Sequence, residues 1–515
     1  MAGRLPHGFR ALAALVALLA ALAAASCGGS GTSSTSAGPD PATVTPLDAA
    51  VYAQAIVRPS GEMKAGVVAA ARKVALVQDP GAALRGLLDR DRSNGVIFSR
   101  DIEPWLGRRI GVFLLLNPAD SRHPDVALAA AIADRGAFAS AYARMRKRDV
   151  HPAGTYRGIA YVQEGGDRTS YAAPVGDFLV LGTLRGLRAA IDASKGSSLA
   201  GAARFRDAAG LVPGDALAFV YADPTTLVSE LGSLRNASPA TRRALARYAG
   251  AGPVVASLSA TAGRIAIDAS GDVPHGAVPT GGGGQVSLGQ LPGDAWLALA
   301  TPPLGPVVKA TLQGAGVHDG VAAQVRRRLG LDLDRDLLDP LGGLALFVRG
   351  SSLLDMGGGL LLRMTSATAA EQLTTRVEAV VAGGLHLAPH PFAAAGTRGF
   401  DVLLPQVPQP VAVLTKGDEV AAGYGAASAQ DLIAPRRRLD GSAAGKAAIA
   451  TLGDGYTPSF VLVVPPLVAL LRSLDALQIA NLSSVTPYLS AYRSLALGTK
   501  RDGDRIAVRI VAALR

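Results

Sequence analysis

Arg264-Ile265-Ala266-Ile267 and Arg505-Ile506-Ala507-Val508 stand 241 positions apart, and each opens the second arm of a hairpin. The first arm of the earlier one, Val254 to Ala260, reads as a strand paired with Arg264 to Ala269. The later one turns through Lys500 to Asp504, rich in the Asp-Gly chemistry that hairpins use. Other pairs keep the same displacement: Gly176-Asp177 with Gly417-Asp418, Phe219-Val220 and Pro224 with Phe460-Val461 and Pro465, and Arg157-Gly158 with Arg398-Gly399. Upstream the spacing drifts, as loop insertions cause: Asp48-Ala49 pairs with Asp294-Ala295, and Pro104 with Leu106-Gly107 pairs with Pro340-Leu341-Gly342. A repeat this long holds its own core, so the pattern indicates a domain duplication and not a solenoid.

Within the first copy, strands and helices alternate. Asp48 to Pro59 alternates and ends in Pro, as a strand does; Ala65 to Val77 and Ala82 to Arg90 carry helical spacing. Arg109 to Asn117 and Asp125 to Ala133 read as buried strands, followed by a helix over Gly136 to Lys147. Short strands at Ala160 to Gln163, Ser170 to Pro174 and Phe178 to Leu181 precede a helix at Leu184 to Ser194, a strand at Ala216 to Tyr221 and a helix at Thr225 to Leu234. Ser238-Pro239 reads as an N-cap with Pro at the first helical position. Adjacent strands interspersed with helices predict an α+β fold: two tandem homologous domains, each a largely antiparallel sheet covered by helices, with one sheet face against them. The apolar stretch Ser459 to Leu474 is interrupted by Pro465-Pro466 and reads as a core strand followed by a helix, like Ala218 to Leu231.

The beginning of the chain carries an address. Arg4 and Arg10 precede an apolar stretch, Ala11 to Ala25, that is short for a membrane span, and small residues lead into Cys27, the one cysteine of the sequence. Ala24-Ala25-Ser26-Cys27 is similar to a bacterial lipobox, which implies cleavage before Cys27 and its diacylation. Two acyl chains suffice for stable attachment. The expected plan is a signal peptide over 1–26, a flexible Gly/Ser/Thr/Pro spacer over 27–44, repeat 1 over 45–270, a Gly/Pro-rich linker over 271–287 and repeat 2 over 288–515. The expected location is the outer face of the bacterial cell membrane. A lone cysteine also rules out internal disulfides, so stability rests on core burial.

Of 515 residues, 51 are basic and 40 acidic, a net charge of +11. Only 8 of the basic residues are Lys, and Arg436-Arg437-Arg438 has no interleaved aromatics, so nucleic-acid binding is not expected. Arg144 to Arg148 and Arg326 to Arg328 read as solvated helix faces or ends. No His-Glu-x-x-His, Cys pair or Gly-x-Ser-x-Gly occurs. Gly441-Ser442-Ala443-Ala444-Gly445-Lys446 is one residue short of a phosphate loop and has Ala447 where a hydroxyl is needed, so it reads as a helix entry. His386 and His390 lie four apart, but Pro389 breaks the helix that would align them on a metal. Asp332, Asp334, Asp336 and Asp339 lack the spacing of a calcium loop and read as a solvated turn; Asp336 corresponds loosely to Asp101. Asp177 and Asp418 are candidate acid–base carboxylates, yet each follows a turn glycine, where Asp is expected to bond its own backbone. The expectation is therefore no catalytic residue, no cofactor and no metal ligand, with Cys27 as the lipid-attachment residue.

The lipobox together with Pro46 to Ala49, Asp101-Ile102-Glu103-Pro104-Trp105-Leu106-Gly107 and Val212-Pro213-Gly214-Asp215-Ala216 resembles the secreted bacterial domain-of-unknown-function family 3352 over most of residues 45 to 515. That resemblance implies an extracytoplasmic protein and no activity. The function expected from these readings is non-enzymatic binding or scaffolding in the cell envelope, with a membrane reached through the lipid and an envelope protein, lipid or wall polymer as partner. A carrier of an apolar ligand such as a lipid is the first alternative, since α+β layers can enclose a cavity. A cell-wall hydrolase or transferase is the second.

Overall fold

A computed structural model describes residues 38–90, 96–116, 124–146, 150–164, 170–232, 250–273, 284–394, 396–405, 408–477 and 482–515. These residues fall in the main into two compact units, the first spanning strands β1 to β10 and the second β11 to β20. The class is α+β.

The first unit runs β1 (Val51–Ile56), α1 (Gly61–Ala75), α2 (Pro80–Arg90), β2 (Leu106–Leu115), β3 (Asp125–Ile132), α3 (Arg135–Arg146), β4 (Val150–Tyr156), β5 (Ile159–Glu164), β6 (Ser170–Val175) and β7 (Phe178–Gly182). It continues with α4 (Leu184–Lys195), α5 (Ala203–Ala209), β8 (Ala218–Ala222), α6 (Pro224–Gly232), β9 (Val254–Thr261) and β10 (Arg264–Asp272). Every pairing among these strands is antiparallel, and they lie in the order β4-β5-β6-β7-β3-β2-β1-β8-β9-β10. Strand β4 and helix α5 carry too weak a periodicity to be read from the sequence. Ser238-Pro239 lies outside the described residues.

Both faces of this sheet are buried, not one as expected. Tyr52, Phe113 and Val180 pack with Leu187 and Ile191 of α4 and Phe205 of α5 on one side. Ala53, Ala55 and Ile110 pack with Trp105 and Phe138 of α3 on the other. The small side chains explain how the strands evade a simple alternating pattern: Ala53 and Ala55 on one face of β1, and Ala on both faces of β3, leave room for aromatics from the neighbouring layers.

The second unit runs β11 (Leu297–Thr301), α7 (Gly305–Gly314), α8 (His318–Leu329), β12 (Leu341–Arg349), β13 (Gly357–Met364), α9 (Ala367–Ala379), β14 (His390–Phe392), β15 (Arg398–Val402), β16 (Val411–Lys416) and β17 (Glu419–Tyr424). Then follow α10 (Ala426–Ile433), α11 (Ala443–Ala450), β18 (Thr457–Val463), α12 (Val464–Ala476), α13 (Thr486–Leu489), β19 (Tyr492–Asp502) and β20 (Arg505–Leu514). The strands pair in the order β14-β15-β16-β17-β13-β12-β11-β18-β19-β20, which is the first unit's order strand for strand. Its sheet too is covered twice, with Leu373 of α9 among Met364, Phe400 and Val413 on one face and Ala429 of α10 against Ala412 and Leu414 on the other. Ser459 to Leu474 is a strand and helix, as read.

Three sequence readings need correction. The spacer extended to residue 44, but Asp40 caps a short 3-10 turn whose Pro41, Ala42 and Val44 are buried. The linker over 271–287 is shorter, because Gly271 still pairs with Val254 and Val286 is already buried. Arg157-Gly158 and Arg398-Gly399 do not correspond. The former is the tight turn joining β4 to β5, whereas the latter lies inside β15, paired with Thr415 and Leu414.

Candidate functional site

Each unit holds one buried carboxylate at the same place, a pair that the sequence matched only loosely and without its burial. Before β2 a π-helical turn, Phe98–Ile102, carries Asp101, whose side chain is 2% exposed. Its Oδ2 accepts from Ile97 N at 3.0 Å, Arg100 donates to both oxygens at 3.0 and 2.6 Å, and Arg144 of α3 lies at 3.5 Å. Before β12 the turn Leu333–Leu338 carries Asp336, 6% exposed, which accepts from Asp332 N at 2.8 Å, Arg335 at 2.9 Å and Arg376 of α9 at 2.8 Å. Hydrogen bonds from Arg100 hold the Asp101 carboxyl down to about 2, against burial, and Arg335 does the same to Asp336 more strongly. Both are permanent anions with their oxygens taken, which suits an architectural clamp and not a proton donor. Asp336 is therefore not part of a solvated turn: two guanidiniums repay its desolvation. Its neighbours form a separate cluster. Asp334 meets His318 Nε2 at 3.1 Å and Lys309 at 3.4 Å, Asp339 meets Lys309 at 2.9 Å, and Asp319 meets His318 Nδ1 at 3.2 Å. The bonds to Asp334 and Asp319 raise the His318 pKa.

The remaining candidates are placed as follows. Asp177 and Asp418 each occupy the second position of a tight hairpin turn, after Gly176 (φ 60°) and Gly417 (φ 58°). The turn is set by these left-handed glycines. The Asp side chains reach outward instead of bonding their own backbone: Asp177 pairs with Arg135, and Asp418 lies 3.4 Å from Arg363. His386 sits at a left-handed backbone position and His390 starts β14, 3.6 Å from Asp401, so no helix aligns them. Ser442 caps α11 by accepting from Gly445 N at 3.1 Å, and a Cβ on Gly445 would stand 2.3 Å from the Leu439 carbonyl. That glycine serves close helix packing. Cys27 lies outside the described residues. Among the described residues no helix is long and apolar enough to cross a membrane, and none group as a metal site.

The feature with the makings of a binding site is a cleft of about 350 Å³ in the second unit, lined by Pro292, Gly293, Asp294, Arg349, Asp431, Arg436 and Arg437. Arg349 ends β12 and is only 16% exposed. Its guanidinium bonds Asp431 of α10 at 2.6 Å, Asp294 at 3.3 Å and Ser428 at 3.1 Å, above the Phe347 ring at 5.6 Å. The segment bearing the other two arginines is pinned through its backbone. Gly293 N donates to Arg437 O and Leu439 N to Leu291 O, both at 2.8 Å. A Cβ on Gly293 would stand 2.8 Å from Arg438 O. Arg436 and Arg437 are exposed and have no carboxylate partner among the described residues. Three guanidiniums against two carboxylates leave the cleft a net positive charge.

The first unit shows what this scaffold looks like without the cleft's charges. Leu115 pairs with the first residue of β3 as Arg349 pairs with the first residue of β13, so Leu115 stands where Arg349 does. The bridge Pro46 to Ser198 answers Pro292 to Arg438, which sets Gly196 and Ser197 against Arg436 and Arg437. Counted from the N-caps Thr183 and Gly425, Ala189 answers Asp431. Of the cleft's charged residues, only Asp294 has a like counterpart, Asp48. The drift in spacing hides these correspondences in the sequence, and strand register recovers them.

The family described as Protein of unknown function (DUF3352) matches residues 11–510. The chain belongs to the DUF3352 family. No curated protein matches this DUF3352 chain. Among solved structures it is similar to three crystal forms of TP0453 (IV, I and III), at 14, 12 and 13% identity. The likeness covers 46, 47 and 47% of the DUF3352 chain and 81, 82 and 84% of TP0453, with a TM-score of 0.25 in each case. At that score no shared fold follows.

Proposed function

We propose that the protein is a lipid-anchored, non-enzymatic binding protein of the bacterial envelope whose second unit captures an anionic group in the arginine cleft. The observation that carries the reading is the pair of unpartnered guanidiniums, Arg436 and Arg437, held on a backbone-pinned segment beside Arg349. The same positions in the first unit are Gly196, Ser197 and Leu115. Arg forks match the planar oxygens of phosphate and carboxylate, and a pre-fixed backbone lowers the ordering cost of binding. The polar lining suits a charged group better than the apolar ligand of the carrier alternative. The tether rests on the residues leading to Cys27, and the binding role rests on the cleft. Two further supports come from Asp101 and Asp336, whose oxygens are committed to structure.

Calorimetric titration with inorganic phosphate tests the cleft. Binding that Arg436→Ala with Arg437→Ala abolishes supports it, and equal binding by that variant refutes it. Cys27→Ala should release the protein from membranes into the medium; continued membrane retention refutes the tether. Turnover in a screen of envelope hydrolase and transferase substrates would refute the non-enzymatic reading.

A further inference from the structure

The arginine cleft stands at one end of the second unit's sheet, and the loops that leave the sheet at that end are tipped with leucine. Residue 350 begins the β12–β13 loop immediately after Arg349. In that loop Leu354 is 92% exposed and Leu353 is 39% exposed. Asp355 locks the loop: its carboxylate accepts from Ser351 N and Ser352 N, at 2.7 to 3.1 Å, and from both serine hydroxyls, at 3.2 and 2.8 Å. Those four donors hold its carboxyl down to about 2, and they occupy the one acid beside the leucines. The β15–β16 loop leaves the same edge, because Val402 pairs with Val411, Val411 with Tyr424 and Gly358 with Tyr424. It begins with Leu403, 60% exposed.

Apolar surface in water costs free energy, and Leu354 is the most exposed of the large apolar side chains among the described residues. The loop leucines are few and narrow, far below the roughly 800 Å² that each partner contributes to a stable protein interface. A pair of apolar tips beside free arginines has the make-up of an interfacial membrane contact, with aliphatic groups in the acyl boundary and guanidiniums at the phosphates. Without residues 1–26 the chain carries a net charge of +9, which favours an anionic surface over a neutral one.

We infer that this end of the second unit docks on an anionic lipid bilayer, Leu353 and Leu354 entering the acyl boundary while Arg436 and Arg437 hold lipid phosphates. The inference rests on the cleft's taking an anionic group and adds where that group resides. The contact is separate from the lipid at Cys27 and would lay the second unit against the membrane.

The test uses residues 28–515, which contain both described units whole and lack the acyl group. Co-sedimentation is measured with phosphatidylcholine vesicles and with vesicles containing 30% phosphatidylglycerol. Binding at least tenfold stronger to the anionic vesicles is expected. Leu353→Ser with Leu354→Ser should weaken it by about tenfold or more, while phosphate titration of the same variant stays unchanged. Anionic-vesicle binding that survives the leucine substitutions overturns the docking. So does equal binding to phosphatidylcholine, or a dimer that the substitutions dissociate, which would make the loop a protein contact. Failure of the parent protein to bind inorganic phosphate, with leucine-dependent vesicle binding intact, overturns the cleft reading instead.

Discussion

Replacing Asp101 by Asn removes the charge from the clamp that joins the π-helical turn to α3. A carboxyl held at about 2, against 3.8 when free, stores a stabilisation of about 2 kcal/mol at neutral pH. Losing one partner of a fully buried ion pair costs about 3–5 kcal/mol. That larger figure does not apply here, because Arg100 and Arg144 are each 48% exposed and can turn to water once freed. The folded-state pKa is lowered, so the contribution is present above the unfolded value and disappears as pH falls from about 4 to 2. Denaturant unfolding should be followed in a Trp296→Phe background, leaving Trp105, whose Nε1 donates to the Asp101 carbonyl at 2.6 Å, as the reporter of the first unit. The expected result is an Asp101→Asn deficit of about 2 kcal/mol at pH 6 that shrinks toward zero at pH 2. A deficit under about 0.5 kcal/mol at pH 6, or one unchanged at pH 2, would refute the clamp.

The two tryptophans should differ. Trp296 Nε1 is buried without a partner among the described residues, so Trp296→Phe should change stability by less than about 1 kcal/mol, whereas Trp105→Phe loses a hydrogen bond and should cost about 1–2 kcal/mol in the same melts. Gly423→Ala places a Cβ 2.3 Å from Ala429 N, between β17 and α10, and should destabilise by more than about 2 kcal/mol; a Tm within 2 °C of the parent would count against that packing. His318 ties α8 to Asp334 and has a raised pKa, so its contribution is full at acidic pH and is lost as pH rises through the raised value. Hydrogen exchange of residues 305–329, corrected for intrinsic rates, should show protection falling over that rise, and His318→Gln should remove the dependence.

The hairpins and glycine turns were legible because their chemistry is local. Gly176-Asp177 and Gly417-Asp418 announce themselves by residue type and spacing, and the structure makes both of them tight turns. Double burial of the sheet was not, since Ala53 and Ala55 look neutral until Trp105 and Phe138 are seen to fill the space above them. Asp336 was misread for a related reason. It stands among other acids, and what buries it, Arg376, arrives from a helix forty residues on. The cleft was out of reach because Arg349 and Arg436 are joined by geometry alone, and the displacement between copies at those two places differs.

In β3, Asp125 bonds Arg185 of α4 at 3.2 Å, while in the second unit the cation, Arg349, is on the strand and the anion, Asp431, is on the helix. The two units thus fasten the same corner with opposite polarity and through residues at different positions. Tandem copies of one topology are prone to exchange equivalent segments while folding. Here α4 in the second unit would set Ala189 where Asp431 stands and leave Arg349 without that partner, and α10 in the first unit would set Ala427 where Arg185 stands and leave Asp125 without its own. Each mismatch gives up an ion pair that only the proper helix completes, so the two differently placed pairs favour each unit's own helix over its neighbour's.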